Sequence, residues 1–372
     1  MIDWKAVREE FPALRNWTFL NSATFGQLPR RTTEAVMRHF AHRDEMACAD
    51  FLSWFDDADA IRASIARLIH CTAEDIAFFP NAAQVSSLLL NAIDWKPGDR
   101  ILTLENEFPN QLYIAQSYAG VEVDIVPHTR MVEALTPRTR AAVISTVNYT
   151  NGLRPRLEEF AAACRANGTI LYVDGTQSLG ALRFDAGALQ PDVFAVDGYK
   201  WLLSPNGAGF AYIHPRVRDW MRPATIGWRS DKRWREVNNL HHGAPEFKHA
   251  AERYEGGFLP MAVLYGMGAS VDMFLELGPE RIEQRVLELA EYVRHRLRGL
   301  GARLLSDEDP SYISPIVAAR WEGVEAPALT LALKQRRIQT AARHGNLRVS
   351  AHFYNNEEDV DILAGALREL LP

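Results

Sequence analysis

Residues 192–213 read DVFAVDGYKWLLSPNGAGFAYI, which is two short apolar runs joined by a loop rich in glycine, proline and asparagine. The runs at 192–198 and 207–213 have the length and hydrophobicity of buried strands. The loop between them is too short for the helical crossover that parallel neighbours need, so we expect the two strands to be antiparallel. Lys200 follows the first run, where a solvated surface charge and a desolvated, reactive amine both fit the pattern.

Upstream of this stretch, further apolar runs alternate with segments of helical spacing. The strand-like runs are ILTL (101–104), VEVDIV (121–126), AAVISTV (141–147) and TILYVD (169–174). The segments NQLYIAQSYAG (110–120) and RLEEFAAACRANG (156–168) have helical periodicity and end at glycine. Strands and helices in alternation predict right-handed crossovers and a mainly parallel sheet, which is an α/β fold.

The pattern changes after about residue 258. Between 279 and 301, apolar residues recur at the spacing of one helix face: Ile282, Val286, Leu289, Val293, Leu297 and Leu300. The runs 314–321 and 346–354 are typical of strands, and 356–370 is typical of a terminal helix. These segments predict a smaller α+β domain.

Two boundaries therefore divide the chain. We predict a large domain at 19–257 and a small C-terminal domain at 258–372. Residues 1–18 form an arm, with a helix at about 3–11 that packs on the small domain or on a partner subunit.

Composition excludes several classes of protein. The chain has 372 residues, 47% hydrophobic and 24% charged, with a formal net charge of −6, which argues against a nucleic-acid-binding protein. Its three cysteines have no metal-binding or CxxC spacing, so we expect neither a metal site nor disulfides. We find no signal-peptide pattern and no apolar run of membrane-spanning length, and we expect a cytoplasmic protein without membrane contact.

Two charged residues follow strands of the predicted sheet. Asp174 ends the run at 169–174, and Lys200 follows the run at 192–198. Ligands bind at the carboxyl ends of strands in parallel sheets, so both side chains can reach one crevice. A turn aspartate and a surface lysine are the plain alternatives. Pyridoxal phosphate needs such a pair, with the lysine for the Schiff base and the carboxylate to keep the pyridine nitrogen protonated.

A phosphate site would complete this arrangement. The strand-like IAFF (76–79) is followed by Pro80, Asn81 and two alanines that open a predicted helix. Free backbone N–H groups at a helix N-terminus bind anions. Neither a GxGxxG dinucleotide signature nor a Walker loop is present, so this is not the usual NAD or ATP cradle. Alone, the pattern is also that of an ordinary helix start.

Seven segments in order resemble one known family. They are FFPNAA (78–83), ENEFPN (105–110), STVNYTNG (145–152), YVDGTQSLGA (172–181), VDGYKWLLSPNGAGF (196–210), RYEGG (253–257) and LRVSAHFYNNEEDVD (347–361). From about Phe19 to the C-terminus, the chain resembles the class V aminotransferases among fold type I pyridoxal phosphate enzymes. That group includes cysteine desulfurases, kynureninase and isopenicillin N epimerase-like proteins. It implies a large domain with a mainly parallel, seven-stranded sheet, a small α+β domain and a homodimer.

The resemblance assigns a cofactor role to most of the candidate residues. By it, Lys200 is the Schiff-base lysine, Asp174 the partner of the pyridine nitrogen and Gln177 a donor to the ring 3-oxygen. Phe108 falls where the family stacks an aromatic side chain on the ring. The residues placed around the phosphate are Ala82, Ala83, Asp197, Tyr199 and, from the neighbouring subunit, Gly257. Asp197 departs from the serine that is common in desulfurases, and its carboxylate would repel a phosphate unless donors bridge the two.

Two further residues are assigned to the substrate. Arg348 matches the arginine that binds the substrate α-carboxylate, for which a guanidinium fork is suited. Asn148 matches an asparagine near the 3-oxygen or the substrate carboxylate. A strand arginine on a solvated face and a turn asparagine are the alternatives.

The family contains several reactions that begin with loss of the α-proton. We predict an aminotransferase that acts on a small amino acid, with a keto acid as the second substrate that this reaction implies. A pyridoxal phosphate lyase or an epimerase is the alternative. The segment before Arg348 lacks the nucleophilic cysteine of desulfurases, and Gln177 replaces the usual histidine of kynureninase. A non-catalytic module with this fold is disfavoured because both Lys200 and Asp174 are present.

Overall fold

The computed structural model describes residues 2–241 and 243–372 and shows the predicted alternation of strands and helices. The strands are β1 (Thr18–Phe19), β2 (Ile76–Phe79), β3 (Arg100–Leu104), β4 (Glu122–Val126), β5 (Thr139–Ser145), β6 (Ile170–Asp174), β7 (Val193–Asp197), β8 (Gly209–Ile213), β9 (Arg303–Leu304), β10 (Ile316–Arg320), β11 (Ile338–Gln339), β12 (Ala341–Arg343) and β13 (Asn346–Ser350). The helices are α1 (Trp4–Arg8), α2 (Arg30–Met46), α3 (Ser53–Leu68), α4 (Ala82–Ala92), α5 (Pro109–Gln116), α6 (Leu157–Asn167), α7 (Ala186–Leu189), α8 (Pro215–Arg218), α9 (Met261–Leu277), α10 (Pro279–Arg298), α11 (Ala326–Gln335) and α12 (Glu357–Leu370).

Seven of these strands form the large sheet, in the order β2-β8-β7-β6-β5-β3-β4. Five neighbouring strands of this sheet are mutually parallel: β7, β6, β5, β3 and β4. β8 runs antiparallel to β7 and to β2, as the short loop around Lys200 predicts. The central strands are buried on both faces, which explains their continuous hydrophobicity. The predicted α/β fold with a mainly parallel seven-stranded sheet is confirmed.

The ends of three helices can be compared with the positions that the sequence predicts. α6 ends at Gly168, which adopts a φ of 75° that a residue with a side chain rarely takes. α10 buries the predicted stripe from Ile282 to Leu297 and ends at residue 298, so that Leu300 lies beyond it. The N-terminal helix is shorter than predicted, because Pro12 begins a separate 3-10 turn after Phe11.

A second sheet, in the order β12-β13-β10-β9, forms with α10, α11 and α12 a core of its own. The N-terminal segment packs against the elements of this second core. β1 pairs in parallel with β11, and Leu20 is fully buried in this core. Arg8 of α1 donates to Asp359 of α12 at 2.7 Å. The start of the chain is thus held against its end.

The helix α9 packs with the large sheet's hydrophobic cluster, together with α3 and the first half of α10. Met267 and Val271 are fully buried there. The domain boundaries at residues 18 and 257 stay a prediction. Within residues 2–241 and 243–372, no single helix is long and apolar enough to cross a membrane. Only α9 and α10 together reach that composition, and they are bent by 85° relative to each other.

Replacement of Leu333 by alanine should lower the free energy of unfolding by about 2–5 kcal/mol, the usual cost of a cavity in a core. Its side chain is fully buried against the small sheet, whereas Leu331 on the same helix is 60% exposed. Leu331→Ala is therefore the matched control, and its effect should stay within about 0.5 kcal/mol. Urea unfolding of both variants measures the difference; equal losses would contradict this packing.

Candidate active site

The chemistry-bearing residues meet at the carboxyl edge of the large sheet. β5 ends at Ser145, β6 at Asp174 and β7 at Asp197, and Ser145 is in register with Asp174. Because these strands are adjacent and parallel, their last residues lie side by side. They surround a narrow cavity whose lining residues are Phe108, Asn110, Ser145, Tyr149, Asp174, Thr176, Gln177, Asp197 and Lys200.

A larger cleft of about 730 Å³ lies beside α6 and α7, and its lining includes neither Lys200 nor Asp174. Its arginines, such as Arg156 and Arg165, are exposed to solvent. Size alone would favour this cleft, but the buried ionisable groups are concentrated in the smaller cavity. The smaller cavity is therefore the candidate active site.

Lys200 lies buried at the centre of this cavity, with 7% of its surface exposed. Its ammonium lies over the rings of Phe108 and Tyr199, at 5.3 and 5.5 Å from their centroids. Burial lowers the pKa of Lys200 to about 8, although Asp174 and Asp197 counteract part of this shift. A lysine in such surroundings is a nucleophile and a base near neutral pH.

The N-terminal loop 21–26 closes over this lysine. Gly26 donates its N–H to the carbonyl of Tyr199 at 2.9 Å. A Cβ at residue 26 would stand 1.9 Å from the carbonyl oxygen of Lys200, so no side chain fits at this position. The same loop carries Asn21 and Thr24, which both accept hydrogen bonds from Arg348.

Asp174 is held by two donors. Its Oδ1 accepts the N–H of Thr176 at 2.8 Å, and its Oδ2 accepts Nε2 of Gln111 at 2.5 Å. Gln111 is fully buried, and its Oε1 has no hydrogen-bond partner among the described residues. The two bonds fix the plane of the carboxylate. A ring nitrogen that carries a proton can still bond to the remaining lone pairs.

Glu107 is a second buried carboxyl group near Asp174. It accepts the N–H groups of Phe108 and Ser145 at 2.7 and 2.8 Å and the Ser145 hydroxyl at 2.5 Å. Burial raises the pKa of Glu107 to about 7, with a smaller contribution from the charge of Asp174. These bonds tie the turn before α5 to the end of β5. They thereby fix Phe108, whose extended backbone at the start of α5 directs its ring into the cavity.

Gln177 and Tyr199 also lie where the sequence places them, next to the lysine. Gln177 donates to the carbonyl of Ala23 at 3.0 Å and accepts the indole N–H of Trp201 at 3.0 Å. Its second amide hydrogen is available to the cavity. Tyr199 packs between Lys200 and Phe25, with 5.1 Å between the two ring centroids.

The helix start at Ala82 differs from the simple anion site that the sequence suggests. The N–H of Ala82 donates to Oδ1 of Asp197 at 2.6 Å, and Asn81 accepts the N–H of Gln84 at 3.0 Å. Asp197 thus caps α4 across the sheet edge. Burial and Asp174 raise its pKa to about 6. For an anion, this leaves chiefly the N–H of Ala83 and the hydroxyl of Thr176.

Six predicted residues are not among those that line the cavity: Ala82, Ala83, Asn148, Tyr199, Gly257 and Arg348. The side chain of Asn148 donates to the carbonyl of Asn106 at 2.8 Å and accepts from Thr150, so it stabilises the turn after β5. Its neighbour Tyr149 lines the cavity instead. Gly257 has open space around its Cα and no contact with Lys200 within the chain. A role for Gly257 in a neighbouring subunit stays a prediction.

Arg348 lies on β13 with 1% of its surface exposed. It donates to the carbonyl of Tyr149 at 2.5 Å, to Oγ1 of Thr24 at 2.6 Å and to Oδ1 of Asn21 at 3.3 Å. Its Nε has no partner, and no carboxylate neutralises it, among the described residues. Burial and the charge of Arg343 lower its pKa to about 9. Buried charges in proteins are normally paired, so this guanidinium is suited to an anionic ligand.

The donor set fits pyridoxal phosphate. Asp174, Lys200, Gln177 and Phe108 surround a single cavity with the chemistry that a pyridinium ring, an aldehyde and a 3-oxygen need. The unpaired Arg348 adds a site for a carboxylate. Asp197 leaves fewer donors for the phosphate than the sequence suggests, and Ala83 is the nearest free helix N–H.

Sequence reasoning missed several residues that shape this site. Glu107 stands inside the quoted segment ENEFPN, and Gln111 lies in the first turn of the helix that follows. The available signal was the presence of these polar residues shortly after the apolar run at 101–104. The loop 21–26 gave no signal, because its contacts with Lys200 and Arg348 join residues that are distant in sequence.

Comparison with known proteins agrees with this geometry. The sequence model of the aminotransferase class-V family matches residues 19–363. Isopenicillin N epimerase from Streptomyces clavuligerus is 28% identical over 99% of this chain and 98% of its own length. A probable cysteine desulfurase from Methanothermobacter thermautotrophicus is 21% identical over 98% of this chain and 97% of its own.

Among solved structures, a mutant of the C–S lyase C-DES with glycine covalently linked to the PLP cofactor superposes with a TM-score of 0.90. It is 24% identical and covers 97% of this chain and 99% of its own. The shared fold is that of the pyridoxal phosphate enzymes of fold type I. This chain belongs to the class V aminotransferase family and is a pyridoxal phosphate-dependent enzyme.

Proposed function

We propose that this enzyme is an aminotransferase that takes the amino group from an amino acid and delivers it to a keto acid. The observation that carries the proposal is the buried Arg348, which has no carboxylate partner among the described residues. It donates to the carbonyl of Tyr149, which lines the same cavity as Lys200. The charge of Arg348 also lowers the pKa of Lys200. A substrate with an α-carboxylate would neutralise Arg348 and place its α-carbon beside the amine.

In this reaction each side chain has a separate task. Lys200 removes the proton from the substrate α-carbon and returns it to a different carbon atom. Burial keeps the lysine largely deprotonated above about pH 8. Asp174, whose two oxygens accept hydrogen bonds from Gln111 and Thr176, would hold a proton on the ring nitrogen of the bound cofactor. When bound, pyridoxal phosphate supplies the aldehyde that accepts the amino group and the ring that stabilises negative charge.

Persulfide transfer, as in cysteine desulfurases, has no support in the cavity. None of Cys48, Cys71 and Cys164 lines it. Burial raises the pKa of both Cys71 and Cys164 to about 12, which makes them poor nucleophiles. Epimerisation is the second candidate, since the 28% identical relative that spans this chain is an isopenicillin N epimerase. Loss of the α-proton to Lys200 is common to both reactions.

Product analysis of a half-reaction should distinguish the candidates. Holoenzyme given an amino acid and no keto acid should release about one equivalent of the corresponding keto acid per site and then stop, because the amino group remains on the enzyme. Lys200→Ala should release none. An epimerase would instead exchange the α-hydrogen with deuterated water and invert the stereocentre. A lyase would release ammonia continuously, and either outcome would overturn the proposal.

The reactivity of Lys200 should depend on pH with a midpoint near 8. In apoenzyme supplied with pyridoxal phosphate, the rate of attachment that borohydride can trap should rise as pH increases through that value, because only the neutral amine attacks an aldehyde. Burial lowers the pKa from 10.5, so the rise comes earlier than for a solvated lysine. Mass spectrometry of the reduced peptide locates the attachment, and Lys200→Arg is the control. A midpoint above pH 10 would contradict this desolvated state.

We also propose a homodimer that covers an exposed apolar surface next to Gly257. On α2, Met37 and Phe40 are 64% and 46% exposed, and Phe258 is 51% exposed. Phe40 and Phe258 line one groove of about 550 Å³. A second copy is the occupant that the family resemblance implies, because it would also bring Gly257 to the neighbouring site.

Sedimentation should therefore show a dimer, and Phe40→Glu together with Phe258→Glu should shift it to monomer with loss of activity. A carboxylate in an apolar interface is strongly unfavourable. Leu331→Glu, at an exposed leucine of the small domain, is the matched control and should leave the dimer intact. A wild-type monomer with full activity would exclude the dimer.

A further inference from the structure

A second arginine lies beside Arg348 on the hairpin formed by β12 and β13. Arg343 pairs with Asn346, and Ala341 pairs with Arg348. Opposed residues of an antiparallel pair point to the same face, and so do residues two apart on one strand. Arg343 and Arg348 therefore project from one face as diagonal neighbours, about 7–8 Å apart at their backbones.

The two-residue turn keeps this arrangement rigid. His344 and Gly345 have φ values of 46° and 76°, the backbone of a tight hairpin turn. Such a turn fixes the register, and a slip by one residue would send Arg343 to the opposite face. The pair of arginines is thus a built feature of the hairpin.

Neither arginine is paired with a carboxylate within residues 2–241 and 243–372. Arg343 donates to the carbonyl of Ala342 at 2.8 Å, and Arg348 donates only to a carbonyl, a hydroxyl and an amide oxygen. Elsewhere the chain pairs its buried arginines with acids. Arg62 and Arg229, for example, share Glu255 at 2.7 and 3.1 Å. In the described part of the chain, the hairpin arginines have no such carboxylate.

The positive field of this pair reaches the cavity. Arg343 acts on Arg348 and on Lys200, and in both it lowers the pKa. The rings of Phe108, Tyr149 and His344 form a row that runs from the cavity to the hairpin turn. Tyr149 is packed 5.1 Å from Phe108 and 6.4 Å from His344, measured between ring centroids. A substrate that extends from Lys200 along Tyr149 would end near Arg343.

We infer that the substrate is an amino acid with a second carboxylate on its side chain. Arg348 binds the α-carboxylate, and Arg343 binds the distal one at the mouth of the cavity. This inference rests on the proposed function for the identity of the reacting group, but the recognition of two carboxylates follows from the hairpin alone. A single carboxylate would leave one of two adjacent like charges uncompensated, which is unfavourable on a sheet face.

Binding to the holoenzyme tests this recognition without turnover. Glutarate, which has two carboxylates and no amino group, should bind about 10- to 100-fold more tightly than butyrate, as expected for one additional charge-assisted bond. In Arg343→Gln this advantage should disappear, and in Arg343→Lys a part of it should remain. Arg320→Gln is the matched control, since Arg320 is an exposed arginine at the end of β10 in the same sheet. Isothermal titration calorimetry gives the affinities.

Kinetics with paired substrates complete the test. The ratio of kcat/KM for glutamate to that for glutamine, and for aspartate to asparagine, should fall by about 10- to 100-fold in Arg343→Gln, mainly through KM. An unchanged ratio together with equal binding of glutarate and butyrate would overturn the inference and leave transamination intact. Conversely, tight binding of glutarate that depends on Arg343, without any keto acid product, would overturn the proposed function and support the two-carboxylate site.

Discussion

The desolvation of Lys200 is the constraint on which the site depends. A lysine that is nearly removed from water favours its neutral form, and the shift is limited by the carboxylates of Asp174 and Asp197 at the ends of neighbouring strands. The strand order β7-β6-β5 makes this possible, because it places the last residues of three parallel strands together. The antiparallel return into β8 confines the lysine to a short loop between two buried strands. The sheet topology thus determines both the position of the amine and its reactivity.

The two ends of the chain complete the site from the opposite side. The loop 21–26 packs on the backbone of Lys200 and continues from β1, which is paired with β11 of the small domain. The same loop supplies Asn21 and Thr24 to Arg348, whose strand belongs to the small sheet. The loop 21–26 therefore contacts both Arg348 and Lys200 and links their positions. Arg8 and Asp359 secure this layer by joining the first and last helices.

The local pattern of apolar and polar residues was sufficient to predict most of the fold and the central residues of the site. Hydrophobic runs located the strands of the large sheet, and the short loop predicted the antiparallel β8. The positions of Asp174 and Lys200 at strand ends were enough to expect one shared crevice. Gln111, Glu107 and the loop 21–26 could not be found in this way, since their importance lies in contacts between residues far apart in sequence. Asn148 shows the converse, because a matching motif did not reveal that its side chain is used within its own turn.

The charged residues around the cavity lie on two sides, one acidic and one basic. Asp174, Asp197 and Glu107 lie on the sheet edge, whereas Arg348 and Arg343 lie on the hairpin of the small domain. The acidic side suits a ring nitrogen that carries a proton. Asp197 caps α4, and burial together with the charge of Asp174 raises its pKa to about 6. A phosphate near Ala83 would share that helix N-terminus with a carboxylate. Among the described residues, the arginines of the basic side donate only to uncharged oxygens.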